Sequence, residues 1–370
     1  MNHFHCTAQA SQPINILVWQ WGRRGGGPRF AIGLAEGLRT VSGAQVQLSL
    51  SAQAEILHAA NPPDCNWRVP TYSTPASFFR RLALAPLMLL GLTRRLRLTR
   101  PDMVICAMAG PLDLLMVAAV QRAGSKFALV VHDATPHPGD GFPGQAALQR
   151  MLVRRADALI VLTNHVGAGL HAQGLVGAKP LIVCPHPPLG FGASPPPLGH
   201  GGRFRLLSLG RMRPYKGLDL LAAALASLGP RDDVEIRVVG QGPEAPELDA
   251  LRAHANVSVE NRWVPEDELA TLLAWADGIV LPYWEASQSG IAAAALGAGR
   301  YVLATQVGGL AEQLAGEPAA ALCAPNPAAL AAGLRDLLDI RRFTPLPPRP
   351  DPLAAWQASL VGLVADLRQV

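Results

Sequence analysis

The feature that most constrains the fold is an alternation of short apolar runs with segments of helical periodicity. The first run, INILVWQW at 14–21, leads through a glycine-rich turn to apolar residues at helical spacing from Phe30 to Leu38. Similar runs predict strands at 44–50, 102–108, 127–131 and 158–162. Strands that alternate with helices predict a parallel sheet covered by helices on both faces.

One stretch rich in proline and glycine, PHPPLGFGASPPPLGHGGR at 185–203, interrupts this alternation. Its composition predicts an interdomain linker, and the alternation restarts with FRLLSLG at 204–210. We therefore predict two doubly wound, Rossmann-like α/β domains that face each other across a cleft. The predicted bounds are 1–187 for the first domain, 188–203 for the linker, 204–343 for the second domain and 344–370 for a C-terminal helix that packs back toward the first domain.

Charge and cysteine content narrow the partners and the compartment. The formal net charge of +5 favours anionic partners such as nucleotides, phosphates or acidic lipid surfaces, and we expect no nucleic acid. The five cysteines are scattered without metal-ligand spacing, which favours free thiols in a reducing compartment. The opening MNHFHCTAQASQP lacks the layout of a signal peptide, and the longest lipid-like run, 82–92, is too short to span a bilayer. We expect a cytoplasmic protein.

Two loops of the second domain carry groups suited to a diphosphate. Arg211 and Lys216 lie in LGRMRPYKGLDL, between a predicted strand and a predicted helix, and two such cations can jointly neutralise a diphosphate. In LPYWEASQSG, Ser289 and Gly290 open a predicted helix whose N-terminus points toward the same cations. Because ligands of open α/β sheets bind outside the carboxyl ends of strands, these loops predict one phosphate site. Solvated loop charges are the alternative.

A third loop, GRRGGGP at 22–28, joins the first strand to the first helix and contains Gly26 and Gly27. Such a turn lets backbone N–H groups and the positive end of a helix approach a phosphate or sugar closely. The spacing is not GxGxxG, so nicotinamide binding is poorly supported. Two interpretations stay open, a ligand-binding loop and a merely tight turn.

Four segments of the second half resemble, in order, the second domain of family-four glycosyltransferases of GT-B fold. They are LGRMRPYKGLDLL, VVGQGPE, WADGIVLPYWEASQSG and LATQVGGLAEQL, which together span most of 204–322. The first domain resembles the family loosely, through its glycine loop and through VVHDATPHPG at 130–139. The resemblance implies a nucleoside-diphosphate sugar held mainly by the second domain and an acceptor held mainly by the first.

The resemblance also implies roles for individual residues. We assign His132, at the end of the strand FALVVHD, and Glu285 as catalytic, since the matching histidine faces the donor sugar in similar enzymes. A turn histidine bonded to local backbone is the alternative for His132. His137, in the following loop, is assigned to the acceptor. The predicted donor contacts are Gly26, Gly27, Arg211, Lys216, Gln288, Ser289 and Gly290, whereas His165, His171 and His186 are assigned to the surface or the linker.

Members of this family usually carry two glutamates separated by seven residues, of which the second accepts hydrogen bonds from the ribose. Here the position eight beyond Glu285 holds Ala293, and an alternative register places the pair at Ala286 and Ala294. The second glutamate is therefore missing in either register. The motif resembles a variant subgroup with Ser-Gln-Ser-Gly in place of Glu-Gly-Phe-Gly, which predicts a transferase with changed donor contacts. A packing helix in an inactive protein is the rival interpretation.

The segment FFRRLALAPLMLLGLTRRLRLTR at 78–100 places an apolar core between basic ends. Its arginines suit anionic headgroups and its leucines suit the membrane interface, which predicts peripheral binding to the inner face of the cell membrane. A connecting helix buried against the sheet is the alternative. Pro86 argues against one straight amphipathic helix.

These observations predict a glycosyltransferase that moves a sugar onto a saccharide or lipid-linked glycan, in polysaccharide or cell-surface glycan synthesis. Because Asp-x-Asp is absent from the chain, we expect neither a metal-bridged diphosphate nor any cofactor besides the nucleotide-sugar co-substrate. The resemblance favours retention at the anomeric carbon. A nucleotide-sugar epimerase of the same architecture and a non-catalytic glycan-assembly protein remain as alternatives.

Overall fold

The computed structural model describes residues 12–137, 143–187, 189–190, 196–340 and 352–370. The chain forms two parallel sheets covered by helices, and the predicted pair of doubly wound domains is confirmed. The strands of the first sheet are β1 (Ile14–Gln20), β2 (Ala44–Ser51), β3 (Trp67–Val69), β4 (Met103–Cys106), β5 (Lys126–Val131), β6 (Ala158–Val161) and β7 (Leu181–Val183). Those of the second are β8 (Phe204–Leu209), β9 (Val234–Gly240), β10 (Val257–Asn261), β11 (Gly278–Leu281), β12 (Tyr301–Thr305) and β13 (Ala320–Cys323).

Helices connect these strands and complete both domains. In the first half they are α1 (Gly26–Arg39), α2 (Pro75–Ala83), α3 (Ala85–Thr99), α4 (Asp113–Ala123), α5 (Gln145–Arg155) and α6 (Asn164–Ala172). In the second half they are α7 (Leu218–Leu228), α8 (Pro246–Arg252), α9 (Glu266–Trp275), α10 (Gly290–Gly297), α11 (Gly308–Leu314), α12 (Pro327–Ile340) and α13 (Pro352–Leu367). Strands β4 and β6 are buried along their whole length, as expected for a parallel sheet covered on both faces.

The order of the strands fixes where a ligand can bind. The first sheet runs β3-β2-β1-β4-β5-β6-β7 and the second β10-β9-β8-β11-β12-β13. The winding therefore reverses between β1 and β4 and between β8 and β11, and a crevice opens outside the carboxyl ends of strands at such a point. The glycine-rich loop follows β1, the loop of Arg211 and Lys216 follows β8, and the loop of Glu285 follows β11. The topology thus brings three of the predicted loops to the two crevices.

The core of the first domain lies on both faces of its sheet. Alternate residues of β1 point to opposite faces, so Ile16 packs with Leu38 of α1 whereas Leu17 packs with Met116 of α4. Full burial of such a side chain contributes roughly 1.5–3 kcal/mol. The second domain repeats this arrangement with its own two apolar clusters.

The C-terminal helix α13 lies on the first domain, although it follows the last helix of the second. Trp356 is buried, and its Nε1 donates a hydrogen bond to the Pro185 carbonyl oxygen at 3.1 Å. A Cβ atom on Gly37 of α1 would lie 2.3 Å from the Trp356 ring, so the missing side chain makes room for the indole. Helix α13 therefore completes the core beside α1. The exact domain and linker bounds stay predictions.

Helices α2 and α3 form a bent pair on the first domain. Within the described parts of the chain, no single helix is long and apolar enough to cross a membrane; α2 and α3 meet that test only together, across a bend of 72°. Pro86 lies in the first turn of α3, where a missing N–H is tolerated. The expectation that 78–100 is not one straight helix is thereby confirmed.

Candidate functional site

The loop after β8 presents two cations beside aromatic rings. Lys216 places its Nζ 3.7 Å from the centre of the Tyr283 ring and 5.0 Å from that of Tyr215. Arg211 donates from Nη2 to the Tyr215 hydroxyl at 3.5 Å. Both cations line one small cavity at the carboxyl end of β8. The predicted pair therefore shares one site, with the ammonium held over two ring faces.

A single glycine lets this loop reach the end of β11. Gly217 has a φ of 66°, in the left-handed region, and a Cβ atom there would lie 1.8 Å from the Pro282 carbonyl oxygen. Any other residue would both strain the backbone and separate the two loops. Tyr283, which follows Pro282, is thereby brought over Lys216.

The start of α10 lies on the other side of Tyr283. The Tyr283 hydroxyl is 3.4 Å from Ser289 Oγ, which caps α10 by accepting from the Ala292 N–H at 3.2 Å. The Gln313 side chain accepts from the Ser289 N–H at 2.7 Å and donates to its carbonyl at 2.9 Å. The contacts of Tyr283 with Lys216 and with Ser289 thus connect the two loops that were expected to converge. Gly290 begins the helix beside them.

The four consecutive alanines of α10 are packing residues. Ala292, Ala293, Ala294 and Ala295 are 0–3% exposed and belong to one apolar cluster of the second domain. The N–H of Leu189, in the linker, donates to the Ala293 carbonyl at 3.4 Å. The two positions considered for the second glutamate, Ala293 and Ala294, therefore lie in a close-packed core.

His132 follows β5 and contacts both domains. Its Nε2 lies 2.7 Å from the Ala107 carbonyl oxygen, which can only accept, so Nε2 carries the proton and donates. The other nitrogen, Nδ1, then accepts from the Gln288 side-chain amide at 3.3 Å. Burial lowers the pKa of His132, which favours the neutral ring. The bond to Ala107 agrees with the alternative of a locally bonded turn histidine, but the bond to Gln288 also places the ring in the cleft.

Gln288 leaves one polar atom in the cleft without a partner. Its Nε2 is directed at His132, and its Oε1 is buried with no hydrogen-bond partner in the described part of the chain. A buried amide oxygen without a partner costs on the order of 1–3 kcal/mol. A hydroxyl group bound in the cleft would satisfy it.

His137 and Glu285, predicted to serve different steps, lie in direct contact. His137 Nδ1 is 2.8 Å from Glu285 Oε1, its Nε2 is 3.3 Å from Asp133 Oδ1, and its ring stacks on Tyr215 at a centroid distance of 4.4 Å. One imidazole thus joins a carboxylate of the first domain to a carboxylate of the second.

The two carboxylates control the charge of this imidazole. The hydrogen bond to Asp133, followed by that to Glu285, raises the pKa of His137 against the opposing effect of burial. Burial opposes ionisation of Asp133, but hydrogen bonds from His137 and Ser287 outweigh it and hold the pKa of Asp133 below its ordinary value. The charged, ion-paired form of His137 is therefore the stabilised one.

His186, assigned to the surface or the linker, lies at the start of the predicted linker stretch and borders the cleft. The residue is half-buried, and its ring lies edge-on to Phe30 of α1 at 5.3 Å. Nδ1 donates to the Pro187 carbonyl at 2.8 Å, which leaves Nε2 as an acceptor near the start of α10. Burial lowers the pKa of His186 to about 4. The signal was its position just after β7, at the carboxyl edge of the sheet.

The glycine-rich loop combines a packing glycine with an open one. Gly25 has a φ of 79° and precedes α1. A Cβ atom on Gly27 would lie 2.8 Å from the Gln20 side chain, whereas one on Gly26 would meet nothing within 4 Å. Gly27 therefore makes room for the Gln20 side chain, and the backbone at Gly26 is not covered by neighbouring atoms.

Further contacts close the two domains on each other at the sides of the cleft. Arg29 of α1 forms an ion pair with Glu266 of α9. Glu312 of α11 accepts from the backbone N–H groups of Asn164 and His165, each at 2.7 Å. Asp133, Tyr283 and Gln313 lie in the segments VVHDATPHPG, LPYWEASQSG and LATQVGGLAEQL, but sequence reasoning gave none of them a role.

Comparison with known proteins follows the division into two domains. The family described as glycosyl transferase 4-like domain matches residues 25–187, and the family described as glycosyl transferases group 1 matches residues 203–339. No curated protein sequence matches the chain.

Solved structures of similar fold cover almost the whole chain. Sucrose-phosphate synthase from Thermosynechococcus elongatus superposes with a TM-score of 0.67 at 16% identity, over 96% of this chain and 98% of that one. HepE from Anabaena, in complex with UDP and glucose, gives 0.63 at 17% identity, over 96% and 99%. UDP-GlcNAc 2-epimerase from Neisseria meningitidis, bound to UDP-GlcNAc, gives 0.57 at 11% identity, over 96% and 100%.

These structural similarities establish the fold, and the two sequence families establish the class. Each family matches one of the two Rossmann-like domains, in the order expected for a GT-B chain. The chain is a GT-B protein of the glycosyltransferases, with domains of the glycosyl transferase 4-like and group 1 families.

Proposed function

We propose that this protein transfers a sugar from a nucleoside diphosphate to a saccharide or lipid-linked glycan, in polysaccharide or cell-surface glycan synthesis. The observation that carries the proposal is that Tyr283 contacts both Lys216 and Ser289. These contacts join a cation to a helix N-terminus at the carboxyl ends of β8 and β11. Because HepE, which has a similar fold, is described in complex with UDP and glucose, UDP is the first nucleotide to test.

The diphosphate would lie between Arg211, Lys216 and the start of α10. As the bond to the sugar breaks, negative charge develops on the leaving phosphate, and fixed cations and helix N–H groups stabilise it. This arrangement supplies the charge that a metal would otherwise supply, so we propose that transfer is independent of metal. A rate that is unchanged in the presence of EDTA is the expected result.

The sugar would face His132 and Gln288. With Nε2 bonded to Ala107, the neutral His132 holds the Gln288 amide through Nδ1, and Gln288 offers its buried Oε1 to the sugar. Sugar hydroxyls are donors that match this oxygen. Glu285 and His137 would border the same sugar from the side of the acceptor, because their contact spans the cleft.

Three finer proposals follow from the sequence motifs. The turn Ser287–Gln288–Ser289–Gly290 would mark a variant donor site, because the positions of the second glutamate are buried alanines. We propose retention at the anomeric carbon, which NMR of the first-formed product tests. We also propose action at the cytoplasmic face of the membrane, where nucleotide sugars and lipid-linked acceptors would meet.

Epimerisation of a nucleotide sugar is the second candidate, since a UDP-GlcNAc 2-epimerase has a similar fold over its whole length. The two reactions differ in their need for an acceptor. The protein should be incubated with UDP-sugars, with and without a glycan or lipid-linked acceptor, and both released UDP and sugar configuration should be followed.

A transferase releases UDP at an acceptor-dependent rate, and an epimerase changes the sugar without an acceptor. A non-catalytic protein does neither. Thermal-shift measurements with UDP should accompany the assay, because stabilisation by UDP without turnover would separate a binding protein from an enzyme. Absence of both binding and turnover with every nucleotide sugar tested contradicts the proposal.

A further inference from the structure

We propose that the outer face of α2 and α3 docks on the surface of a membrane rich in anionic phospholipids. This inference deepens the proposed function, because a docked enzyme could receive a lipid-linked acceptor directly. It stands on the exposure and charge of the helix pair and not on the chemistry of the cleft.

Large apolar side chains are exposed along one face of α3. Leu87, Leu90 and Leu98 are 66%, 69% and 74% exposed, and at 100° per residue they fall within about 80° of each other around the helix. Phe79 of α2 is 67% exposed. Isolated exposed leucines are ordinary, but these three share one helix face with the exposed Arg94, and such a mixed apolar and basic face is typical of a surface that binds anionic lipid.

The opposite face of α3 packs against the core of the first domain. Leu92 and Leu96 are buried in the cluster that includes Met116 of α4. The alternative of a buried connecting helix therefore explains these two residues but not the outward-facing leucines. Helix α3 thus carries leucines on both sides, and only the inward leucines have an apolar partner within the described chain.

The positive charge around this face indicates which kind of partner binds there. No aspartate or glutamate occurs between Asp64 and Asp102. Two of the arginines are bonded to backbone carbonyls, Arg81 to Thr71 and Arg97 to Arg122, and such bonds leave their positive charge uncompensated. The arginines of this stretch are Arg68, Arg80, Arg81, Arg94, Arg95, Arg97 and Arg100.

Anionic headgroups complement such a surface, whereas a second copy of this chain does not. A twofold contact between two α3 faces would set arginines against arginines, with like charges brought together as the leucines are buried. A bilayer instead offers phosphate at the level of the arginines and hydrocarbon at the level of the leucines.

The docking face begins at the rim of the cleft. Arg23, in the glycine-rich loop before α1, donates to the Ser73 carbonyl at 2.7 Å and lies over the Tyr72 ring. Helix α2 starts two residues later, at Pro75. Docking through α2 and α3 would therefore bring the glycine-rich loop close to the lipid surface.

The test is co-sedimentation of the full chain with vesicles of phosphatidylcholine alone or with about 30% phosphatidylglycerol, at low salt and in about 1 M NaCl. We expect at least tenfold stronger binding to the anionic vesicles and release by salt. The apolar variant is L87Q/L90Q/L98Q and the charge variant is R80Q/R94Q, all at exposed positions. Each should lower binding about tenfold or more with an unchanged Tm.

R150Q/R154Q is the matched control, since it removes two exposed arginines from α5 of the same domain. It should bind like the wild type. Binding that ignores lipid charge, salt and both variants overturns the proposal. So does a leucine-dependent dimer in analytical ultracentrifugation without vesicle binding, which would assign the face to a second copy.

Stabilisation by UDP and turnover of a soluble acceptor should be unchanged in the variants of α2 and α3. A wild-type protein that binds UDP but no vesicles overturns the docking surface and leaves the proposed function intact. A protein that binds vesicles but no nucleotide sugar does the reverse.

Discussion

His137 Nδ1 lies 2.8 Å from Glu285 Oε1, although 148 positions separate the two residues along the chain. The contact joins the loop after β5 to the loop after β11, and Tyr215 stacks against the same imidazole. The sequence predicts a separate role for each of the two residues. Their contact instead makes them one bridge across the cleft, whose strength depends on a proton.

The bridge predicts a pH-dependent stability. The pKa of His137 is raised in the folded state, so its contribution is fully present below the unfolded value, about 6.5, and is lost as pH rises through the folded value. The difference in free energy of unfolding between wild type and H137Q should therefore be larger near pH 6 than near pH 9. Urea denaturation at both values measures it. H171Q, at an exposed histidine of α6, is the control, and an equal H137Q effect at both pH values would contradict the bridge.

The cations of the β8 loop should control donor affinity. Loss of one charge-assisted partner in R211Q or K216M should weaken binding of UDP by about tenfold to a hundredfold, equivalent to roughly 1.5–3 kcal/mol. Isothermal titration with UDP measures the change. R335Q, which removes an exposed arginine from α12, should bind as the wild type does. Unchanged affinity in both loop variants would remove the phosphate site from this loop.

Gln288 should matter for the rate more than for the fold. In Q288L the His132 Nδ1 loses its amide donor and the cleft loses an unpartnered acceptor, whereas side-chain volume is nearly kept. We expect kcat/KM for the nucleotide sugar to fall about tenfold or more, with Tm little changed. A loss confined to Tm would show that the amide only supports packing.

Much of the fold was predictable because parallel strands buried on both faces leave continuous apolar runs. INILVWQW at 14–21 and FRLLSLG at 204–210 carry that signal, and β1 and β8 lie there. The grouping of Arg211, Lys216 and Ser289 in one site followed from the rule that ligands bind at the carboxyl ends of strands. These predictions needed only local sequence.

The remaining contacts depend on how the two domains close, which local sequence does not encode. Nothing around Asp133 indicates that His137 will turn toward Glu285, and only the position of His186 just after β7 indicates its place at the cleft. The sequence offered a packing helix only as the rival interpretation for Ala293, because its burial depends in part on Leu189 in the linker packing on α10. Such contacts are decided by tertiary packing.

The packing of α13 against the first domain predicts an effect on stability that arises far from the cleft. W356A would remove a buried indole, its hydrogen bond to Pro185 and its packing on Gly37. A loss of roughly 3–5 kcal/mol in the free energy of unfolding is expected, as for other buried aromatic truncations. W284A, at an indole that is 43% exposed, provides the comparison and should cost much less. Similar losses in the two variants would mean that α13 does not contribute to the folded core.

The buried alanines of α10 predict how the ribose is recognised. Since Ala293 and Ala294 lie in the core, no carboxylate at either position can accept from a ribose hydroxyl. The enzyme should therefore discriminate weakly between a donor and its 2′-deoxy analogue, because only a site that bonds a hydroxyl strongly rejects the analogue without it.

Steady-state kinetics with the two donors measures this directly. A kcat/KM ratio within about tenfold supports a site that makes little contact with the ribose hydroxyl. A ratio above about a hundredfold, or roughly 2.7 kcal/mol, would mean that another side chain bonds this hydroxyl. A294E should not restore the contact, because it would bury an unpaired carboxylate against packed apolar groups and destabilise the domain. A294S, which adds only a hydroxyl, is its control. If A294E instead kept its Tm and gained selectivity for the ribose donor, α10 would face the donor, contrary to the packing described above.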